Sequence, residues 1–380
     1  MDTTSDNILV ISCSPGLNTA LSHELEGLGY KVIKSDPKAV IINGDLVDAM
    51  KLNYMLRCAN RVLWKIAGFR AIHPNHLYKN ARKIPWENYL KADGFFSIDS
   101  FAKNKFIRDT RFANLKLKDA IADRFTSEVG SRPDTGPSKE EAVVFMRWIE
   151  EDVELFIDTS GQTIAKHGYR KNPGEAPLME NLAAGIIQES SWDTNSNFIN
   201  PMCGSGTLAV EAALIAVGNY PGKFRNNYGF QHLVGYDPKQ WSAMCDEIES
   251  QKEKNTLGFQ IIASDISRKA INVARENAKY AGVDHLIDFQ VCKFENTEIP
   301  AGGGVVIFNP EYGERMGEIA ELEKTYKEIG DFMKQKCNGY YGYIFTGNLN
   351  LGKKVGLRTK SKIPFYNGKI ECRLLEYELY

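Results

Sequence analysis

Short apolar runs in this chain alternate with stretches whose apolar residues recur every three or four positions. Ile8-Leu9-Val10-Ile11-Ser12-Cys13 predicts a strand, broken by Pro15-Gly16. Leu17, Leu21, Leu25 and Leu28 then share one helical face, and Gly29 stops that helix. Val40-Ile41-Ile42 predicts a second strand, and the turn Asn43-Gly44-Asp45 leads into a helix running to Arg57. Trp64-Lys65-Ile66-Ala67 and Phe95-Phe96-Ser97-Ile98 read as strands, residues 114–128 as a helix, and the proline- and glycine-rich stretch 130–138 as a loop. Residues 143–149 and 153–158 read as paired strands turning at Glu150-Glu151-Asp152. These segments predict two α+β modules, over 1–60 and 61–160. From residue 161 the order changes: helix at 178–190, strand at Phe198-Ile199, helix at 207–217, strand at 259–265, helix at 268–281, and strands at 287–291 and 304–308. Strand and helix alternate there, which predicts an α/β domain over 161–380 built on a parallel, doubly wound sheet.

Composition changes this picture little. The chain is 43% hydrophobic and 25% charged, the balance of an ordinary globular protein. No apolar run approaches the roughly 18 residues of a membrane span. The start, Met1-Asp2-Thr3-Thr4-Ser5-Asp6, is polar and acidic, unlike a signal peptide. The seven cysteines, at 13, 58, 203, 245, 292, 337 and 372, show no CxxC spacing, and the six histidines show no metal-ligand spacing. Neither a zinc site nor a disulfide framework is expected, which fits a reducing cytoplasm. Charge adds more. The net charge is −1, yet residues 61–124 hold 14 Lys and Arg against 6 Asp and Glu. Such a basic segment is the footprint of phosphate contact, or alternatively a solvated lysine-rich face. The interleaved Phe95, Phe96, Phe101, Phe106 and Phe112 are either core or stacking residues.

Two short segments carry chemistry. Asn200-Pro201-Met202-Cys203-Gly204-Ser205-Gly206-Thr207 is a glycine turn leaving a predicted strand. Its glycines allow positive φ and close approach of the backbone to a ligand, and Thr207 is placed to cap the next helix. Asp265 ends the following core strand, where a carboxylate accepts hydrogen bonds from ribose hydroxyls, or else caps the helix at 268. The second segment, Asn309-Pro310-Glu311-Tyr312, follows a hydrophobic strand. Exocyclic base nitrogens are poor nucleophiles because their lone pair is delocalised into the ring. The Asn309 amide oxygen and the Pro310 carbonyl can each accept one N–H and aim the lone pair, while Tyr312 stacks on the base. The two segments together point to methyl transfer from S-adenosylmethionine to a nucleic-acid base. Cys203 reads as a small packing residue, not as a nucleophile.

Further segments extend the pattern: Ile84-Pro85-Trp86-Glu87, Thr110-Arg111-Phe112-Ala113-Asn114-Leu115-Lys116-Leu117-Lys118-Asp119-Ala120-Ile121, His167-Gly168-Tyr169-Arg170, Ala176-Pro177-Leu178-Met179-Glu180-Asn181-Leu182-Ala183-Ala184, and Gly313-Glu314-Arg315 after the tyrosine. In this order the chain resembles, over nearly its whole length, the THUMP-domain, RlmL-type 23S rRNA guanine-N2 methyltransferases. The resemblance implies a ferredoxin-like piece at 1–60, a THUMP RNA-binding domain at 61–160 and a Rossmann-like methyltransferase domain at 161–380. It implies S-adenosylmethionine as cofactor and 23S rRNA as partner, with neither metal nor membrane. Asn309, Pro310 and Tyr312 would hold the base. Asn200, Pro201, Gly204, Gly206, Thr207 and Asp265 would hold the cofactor, and Tyr169 with Arg170 would line its cleft or merely anchor a linker. Arg111, Lys116 and Lys118 would contact RNA backbone, with 111 and 118 on one helical face. It also accounts for residues 218–258 as an insertion before Asp265.

Three positions depart from the family pattern. Asn200 stands where the family has Asp, removing a negative charge near the methionine end of the cofactor. Lys293 stands where an acidic residue accepts the adenine amino group, with Glu295 as the nearby substitute. Glu311 replaces a second proline, which frees residue 310 from the bias a following proline imposes. Two other readings therefore stand beside the first: an RNA-binding assembly factor that keeps the fold with little or no activity, and an adenine-N6 nucleic-acid methyltransferase.

Overall fold

A computed structural model describes residues 7–107, 109–171, 178–250, 256–312 and 319–380. The expectations attached to 176–177, 313–315 and part of 218–258 fall outside that range. The chain divides into two units, one of Met1–Cys13, Ser22–Ile164 and Arg225–Ile248, the other of Ser14–Leu21, Ala165–Phe224 and Glu249–Tyr380.

The elements run β1 (Ile8–Cys13), α1 (Asn18–Gly27), β2 (Val32–Asp36), β3 (Ala39–Asn43), α2 (Leu46–Met55), β4 (Ala59–Arg70), α3 (Pro74–Ala81), β5 (Phe95–Lys103), α4 (Thr110–Glu128), β6 (Asp134–Thr135), β7 (Ala142–Ile149) and β8 (Asp152–Asp158). Then follow α5 (Glu180–Gln188), β9 (Asn197–Pro201), α6 (Thr207–Ala216), α7 (Pro238–Ser250), β10 (Ile261–Asp265), α8 (Arg268–Ala281), β11 (Ile287–Val291), β12 (Gly304–Phe308), α9 (Ile319–Lys336), β13 (Tyr340–Thr346), α10 (Leu349–Lys354), β14 (Ser361–Asn367) and β15 (Ile370–Glu378).

In the first unit the strands join one sheet in the order β2-β3-β1-β4-β8-β7-β5-β6, antiparallel except where β5 meets β7 and β6. β4 extends well beyond the predicted Trp64–Ala67 because it pairs with β1 on one side and β8 on the other, so polar residues such as Arg61 are carried in the ladder. The helix expected at 114–128 begins one turn earlier. The Asp109 carboxylate accepts the Arg111 N–H and caps it there, while Ala113, Leu117, Ala120 and Ile121 form its buried stripe. α3 has so few apolar residues that periodicity misses it; Pro74 at its first position and the His73 cap start it.

Part of the expected insertion belongs to this first unit. Residues 225–248 bring Trp241 edge-on to Tyr54 at 5.8 Å and to Tyr228 at 5.6 Å, and Leu233 bridges to Leu90. An aromatic cluster of this kind adds directional packing to plain burial.

The second unit holds a seven-stranded sheet ordered β11-β10-β9-β12-β13-β15-β14. The first five strands are parallel, as the alternation predicts. β15 and β14 complete the sheet as an antiparallel hairpin that the doubly wound expectation did not include. Ile199, Ile262, Val306 and Phe308 of the parallel strands pack with Tyr326, Ile329 and Met333 of α9 into one buried core. Strands buried on both faces read as unbroken apolar runs, as 305–308 does.

Candidate functional site

β9 lies between β10 and β12, and all three point the same way. The chain winds from β9 through β10 to β11 on one side, then returns to β12 and β13 on the other. The strand order therefore reverses between β9 and β12, which is where an open parallel sheet leaves a crevice at its carboxyl end. The glycine loop, Asp265 and the Asn309 loop leave these three neighbouring strands at that end.

The ladder between β9 and β12 stops at Ile199 and Val306. One step further the Asn200 side chain takes over, donating from Nδ2 to the Ile307 carbonyl at 2.9 Å. Asn200 is 1% exposed, and its Oδ1 is buried with no hydrogen-bond partner. An ionised aspartate at this position could not make that bond, because a carboxylate has no proton to give the carbonyl.

The loop itself is held from several sides. Met202, Gly204 and Gly206 all adopt positive φ. The Gly204 N–H donates to Asp265 Oδ2 at 3.0 Å, and the Ser205 carbonyl accepts from Asn277 Nδ2 at 3.1 Å. A Cβ on Gly206 would lie 2.7 Å from the Ala274 Cβ, so only glycine lets α6 sit this close to α8. Asp265 also accepts the Ser267 N–H through Oδ1 at 2.8 Å. A carboxylate has about four lone-pair sites, so each oxygen keeps capacity for a ligand hydroxyl. The alternative reading of Asp265 as the cap of the next helix is corrected: Ser267 caps α8, accepting from Ala270. Thr207 is corrected likewise. Gly206, with φ +78°, is the cap of α6, and Thr207 is its first residue. Burial pushes the Cys203 thiol well up, with the Asp265 charge adding to it, which agrees with a packing role.

The His167-Gly168-Tyr169-Arg170 segment lies against α6. Tyr169 is 2% exposed and meets Phe224 edge-on at 6.0 Å. Burial first, then the Glu211 and Glu180 carboxylates, hold its hydroxyl far above the ordinary phenol range. His167 and Glu211 pair at 2.7 Å with both side chains fully buried. Tyr169 is therefore a buried core residue that feels the Glu211 carboxylate of α6, and Arg170 donates to Thr207 Oγ1 at 2.8 Å.

At the other strand end, Pro310 is buried, Asn309 half-buried and Glu311 exposed. The Tyr312 hydroxyl accepts from Asn367 Nδ2 at 2.9 Å, and its ring lies over Gly347, where a Cβ would come within 2.9 Å. Lys293 precedes a short 3-10 turn at Phe294–Asn296, and Glu295 turns toward α9, in a groove with Glu328, Asp331 and Gln335. The supports from Asn277, Asn367 and Gly347 escaped sequence reading because each acts on a residue far along the chain.

On α4, Arg111 is 87% exposed and paired with Asp109 at 2.8 Å, and Lys118 lies 3.7 Å from Asp119. Lys116 Nζ sits 5.9 Å from the centre of the Phe112 ring. Of the interleaved phenylalanines, Phe96 is core at 1% exposure, whereas Phe101 and Phe112 are about half exposed, at 52% and 51%. Of these exposed rings, Phe112 lies on α4 beside Lys116 and Phe101 lies on β5. No described helix is long and apolar enough to cross a membrane.

Comparison with known proteins gives three domain matches: the RlmL ferredoxin-like domain over 8–63, the THUMP domain over 74–158, and the RMKL-like methyltransferase domain over 167–376. Ribosomal RNA large subunit methyltransferase K/L of Syntrophotalea carbinolica is 35% identical across 96% of this chain. The chain spans about half the length of that relative, 52%, and the same share of the Marinomonas protein of that name, which is 34% identical. A Synechocystis protein named as an RNA methyltransferase is 32% identical over 96% of this chain and 95% of its own. Among solved structures, a possible methylase from Clostridium difficile 630 superposes with a TM-score of 0.90 at 30% identity, covering 98% of each chain. SMU.472, complexed with S-adenosylhomocysteine, superposes equally well, at 0.90, with 26% identity over 98% of each chain. The expected class is met: an α/β chain with ferredoxin-like and THUMP domains ahead of a methyltransferase domain.

Proposed function

The chain belongs to the RMKL-like methyltransferase family, and on that premise we propose that it transfers a methyl group from S-adenosylmethionine to the N2 amine of a guanine in 23S rRNA. Residues 61–160 would grip the RNA and residues 161–380 would carry the transfer, with 1–60 as the ferredoxin-like piece. One observation carries this reading: the glycine loop and the Asn309 loop leave adjacent parallel strands, and the Asn200 amide joins those strands where their ladder ends.

The residues present fit the donor. Gly204 and Gly206 present backbone without side chains, and nothing lies within 4 Å of a Cβ built on Gly204. Asn200 Oδ1 is a buried acceptor waiting for an N–H, and Pro201 stiffens the turn behind it. The first turn of α6 has neither a capping side chain nor an acidic residue, so its N–H groups suit a carboxylate. Asp265 keeps lone pairs for ribose hydroxyls. When bound, the donor supplies a methyl group on a cationic sulfur that an amine can displace. Asn309 and the Pro310 carbonyl would each accept one N–H of the base, turning its lone pair toward the donor. Tyr312, tethered by Asn367, would offer its ring to the base face.

Incubating the chain with tritiated S-adenosylmethionine and unmodified 23S rRNA, then separating the nucleosides, tests this. The expected result is label in N2-methylguanosine. Label in N6-methyladenosine would replace the base assignment, and salt-sensitive RNA binding with no transfer would favour the assembly-factor reading. Lys116→Ala and Lys118→Ala should each lower the slope of log affinity for RNA against log salt by about 1, the change expected for one lost phosphate contact. Unchanged slopes would remove these lysines from the RNA face.

A further inference from the structure

Tyr312 follows β12, yet its side chain is held by strands further along the sheet. The order β12-β13-β15-β14 puts β14 three strands away, roughly 14 Å at ordinary strand spacing. β14 runs in the direction of β12 and β13, because β13 and β14 both pair antiparallel with β15. Its last residue, Asn367, therefore stands at the same carboxyl edge of the sheet as the Asn309 loop. There the Asn367 amide donates from Nδ2 to the Tyr312 hydroxyl at 2.9 Å, across 55 residues of chain.

Strand alternation accounts for the meeting. Phe365 and Asn367 share one face of β14, and Phe365 meets Phe345 of β13 edge-on at 6.2 Å. Gly347 comes two residues after Phe345. A Cβ there would lie 2.9 Å from the Tyr312 ring and 2.9 Å from Ile370 Cγ2, so only bare backbone leaves the ring its place. Asn367 and Ile370 close the β14–β15 hairpin around the two-residue turn Gly368-Lys369. Asparagine at the start of a turn ordinarily bonds its own backbone; here the side-chain donor goes to the tyrosine. With its hydroxyl engaged and its ring packed against the core of the second unit, Tyr312 offers a substrate its ring. An untethered tyrosine in a loop samples several rotamers, and ordering it only when RNA binds would weaken that binding.

We infer that Asn367 is a positioning residue for the base: through the Tyr312 hydroxyl it fixes the ring beside Gly347 before RNA arrives, and so sets where the purine seats relative to Asn309 and Pro310. This rests on the methyl-transfer reading above and adds the β14–β15 turn to the machinery of the site.

The test is a double-mutant cycle on the full chain. It is read as single-turnover transfer of tritium from S-adenosylmethionine to unmodified 23S rRNA, with the chain in excess. Asn367→Ala and Tyr312→Phe remove the same bond from its two ends. Each should slow transfer about five- to tenfold, the scale of one lost neutral hydrogen bond, and the double variant should be no slower than either. Asn367→Asp should recover most of the rate, because the phenol can donate to a carboxylate where it accepted from the amide. Affinities for S-adenosylhomocysteine and for RNA, measured in parallel, should stay within about twofold, so that the loss falls on the transfer step. Asn367→Ser favours the turn but is too short to reach the hydroxyl, and it repeats the test if the alanine variant does not fold. Additive losses would overturn the inference, as would a lowered thermal midpoint with transfer at the native rate, which is the mark of a structural tie. If the native chain transfers no label, the methyl-transfer reading itself fails; if it does and only the cycle fails, that reading stands without Asn367.

Discussion

Asn309→Ala should leave a folded chain that binds S-adenosylhomocysteine as the native does yet transfers methyl groups at least about a hundred-fold more slowly, the scale of loss when a reacting group is no longer aimed. The expectation follows from where Asn309 sits. It is half-buried at the end of β12, past the last residues of the hydrophobic strand, so truncating it costs the core nothing. Its neighbour Pro310 is buried and keeps the backbone of the loop in place. What would disappear, on the function proposed above, is one of the two acceptors for the amine. Single-turnover transfer to 23S rRNA, with donor affinity measured in parallel, reads the effect. Asn309→Asp retains an acceptor oxygen and should keep more activity than Asn309→Ala. Native rates in the alanine variant would sink the amine-orienting role, and loss of donor affinity would move Asn309 from the base side to the cofactor side.

Gly206→Ala should damage stability and donor binding together. Gly206 has φ +78°, and an added Cβ would meet the Ala274 Cβ at 2.7 Å. Left-handed backbone costs a residue with a Cβ about 1–2 kcal/mol, and forcing atoms into a packed contact costs about 1–3 kcal/mol more. Ala274 is fully buried on α8 and cannot turn away, so α6 must move and carry the loop with it. Gly204→Ala is the built-in comparison. Its φ is +54°, but nothing lies within 4 Å of the new Cβ. It should therefore suffer the backbone strain alone, with a smaller drop in thermal midpoint. Equal midpoints for the two variants would show that contact between α6 and α8 does not set the loop.

Much of the site is legible in the residues because its chemistry is local. A strand that ends in glycines and one that ends in Asn-Pro are each recognisable from a few neighbouring positions, and Asp265 announces itself at the end of an apolar run. Periodicity also locates α8, β11 and β12 to the residue, since each has a clean apolar face or a wholly buried core. Polar capping shifts other boundaries, as Asp109 does for α4. The Thr207 cap was misplaced for a related reason: threonine suits a cap, but only the folded loop shows that Gly206 takes the left-handed turn one residue sooner.

The sequence by itself determined that the second unit is built on a parallel sheet, the order of those strands along the chain, and where the glycine turn and the Asn-Pro turn leave them, because these depend on spacing, side-chain type and chain order. Tertiary structure alone decided that β9 and β12 are neighbours, that Asn200 bridges them, that Arg170 stands at the start of α6, and that residues 225–248 pack with the N-terminal sheet. Those facts are hydrogen bonds and contacts between residues distant in the chain. Nothing in local propensity encodes which partner a buried amide or guanidinium will find; the packing of the core chooses it.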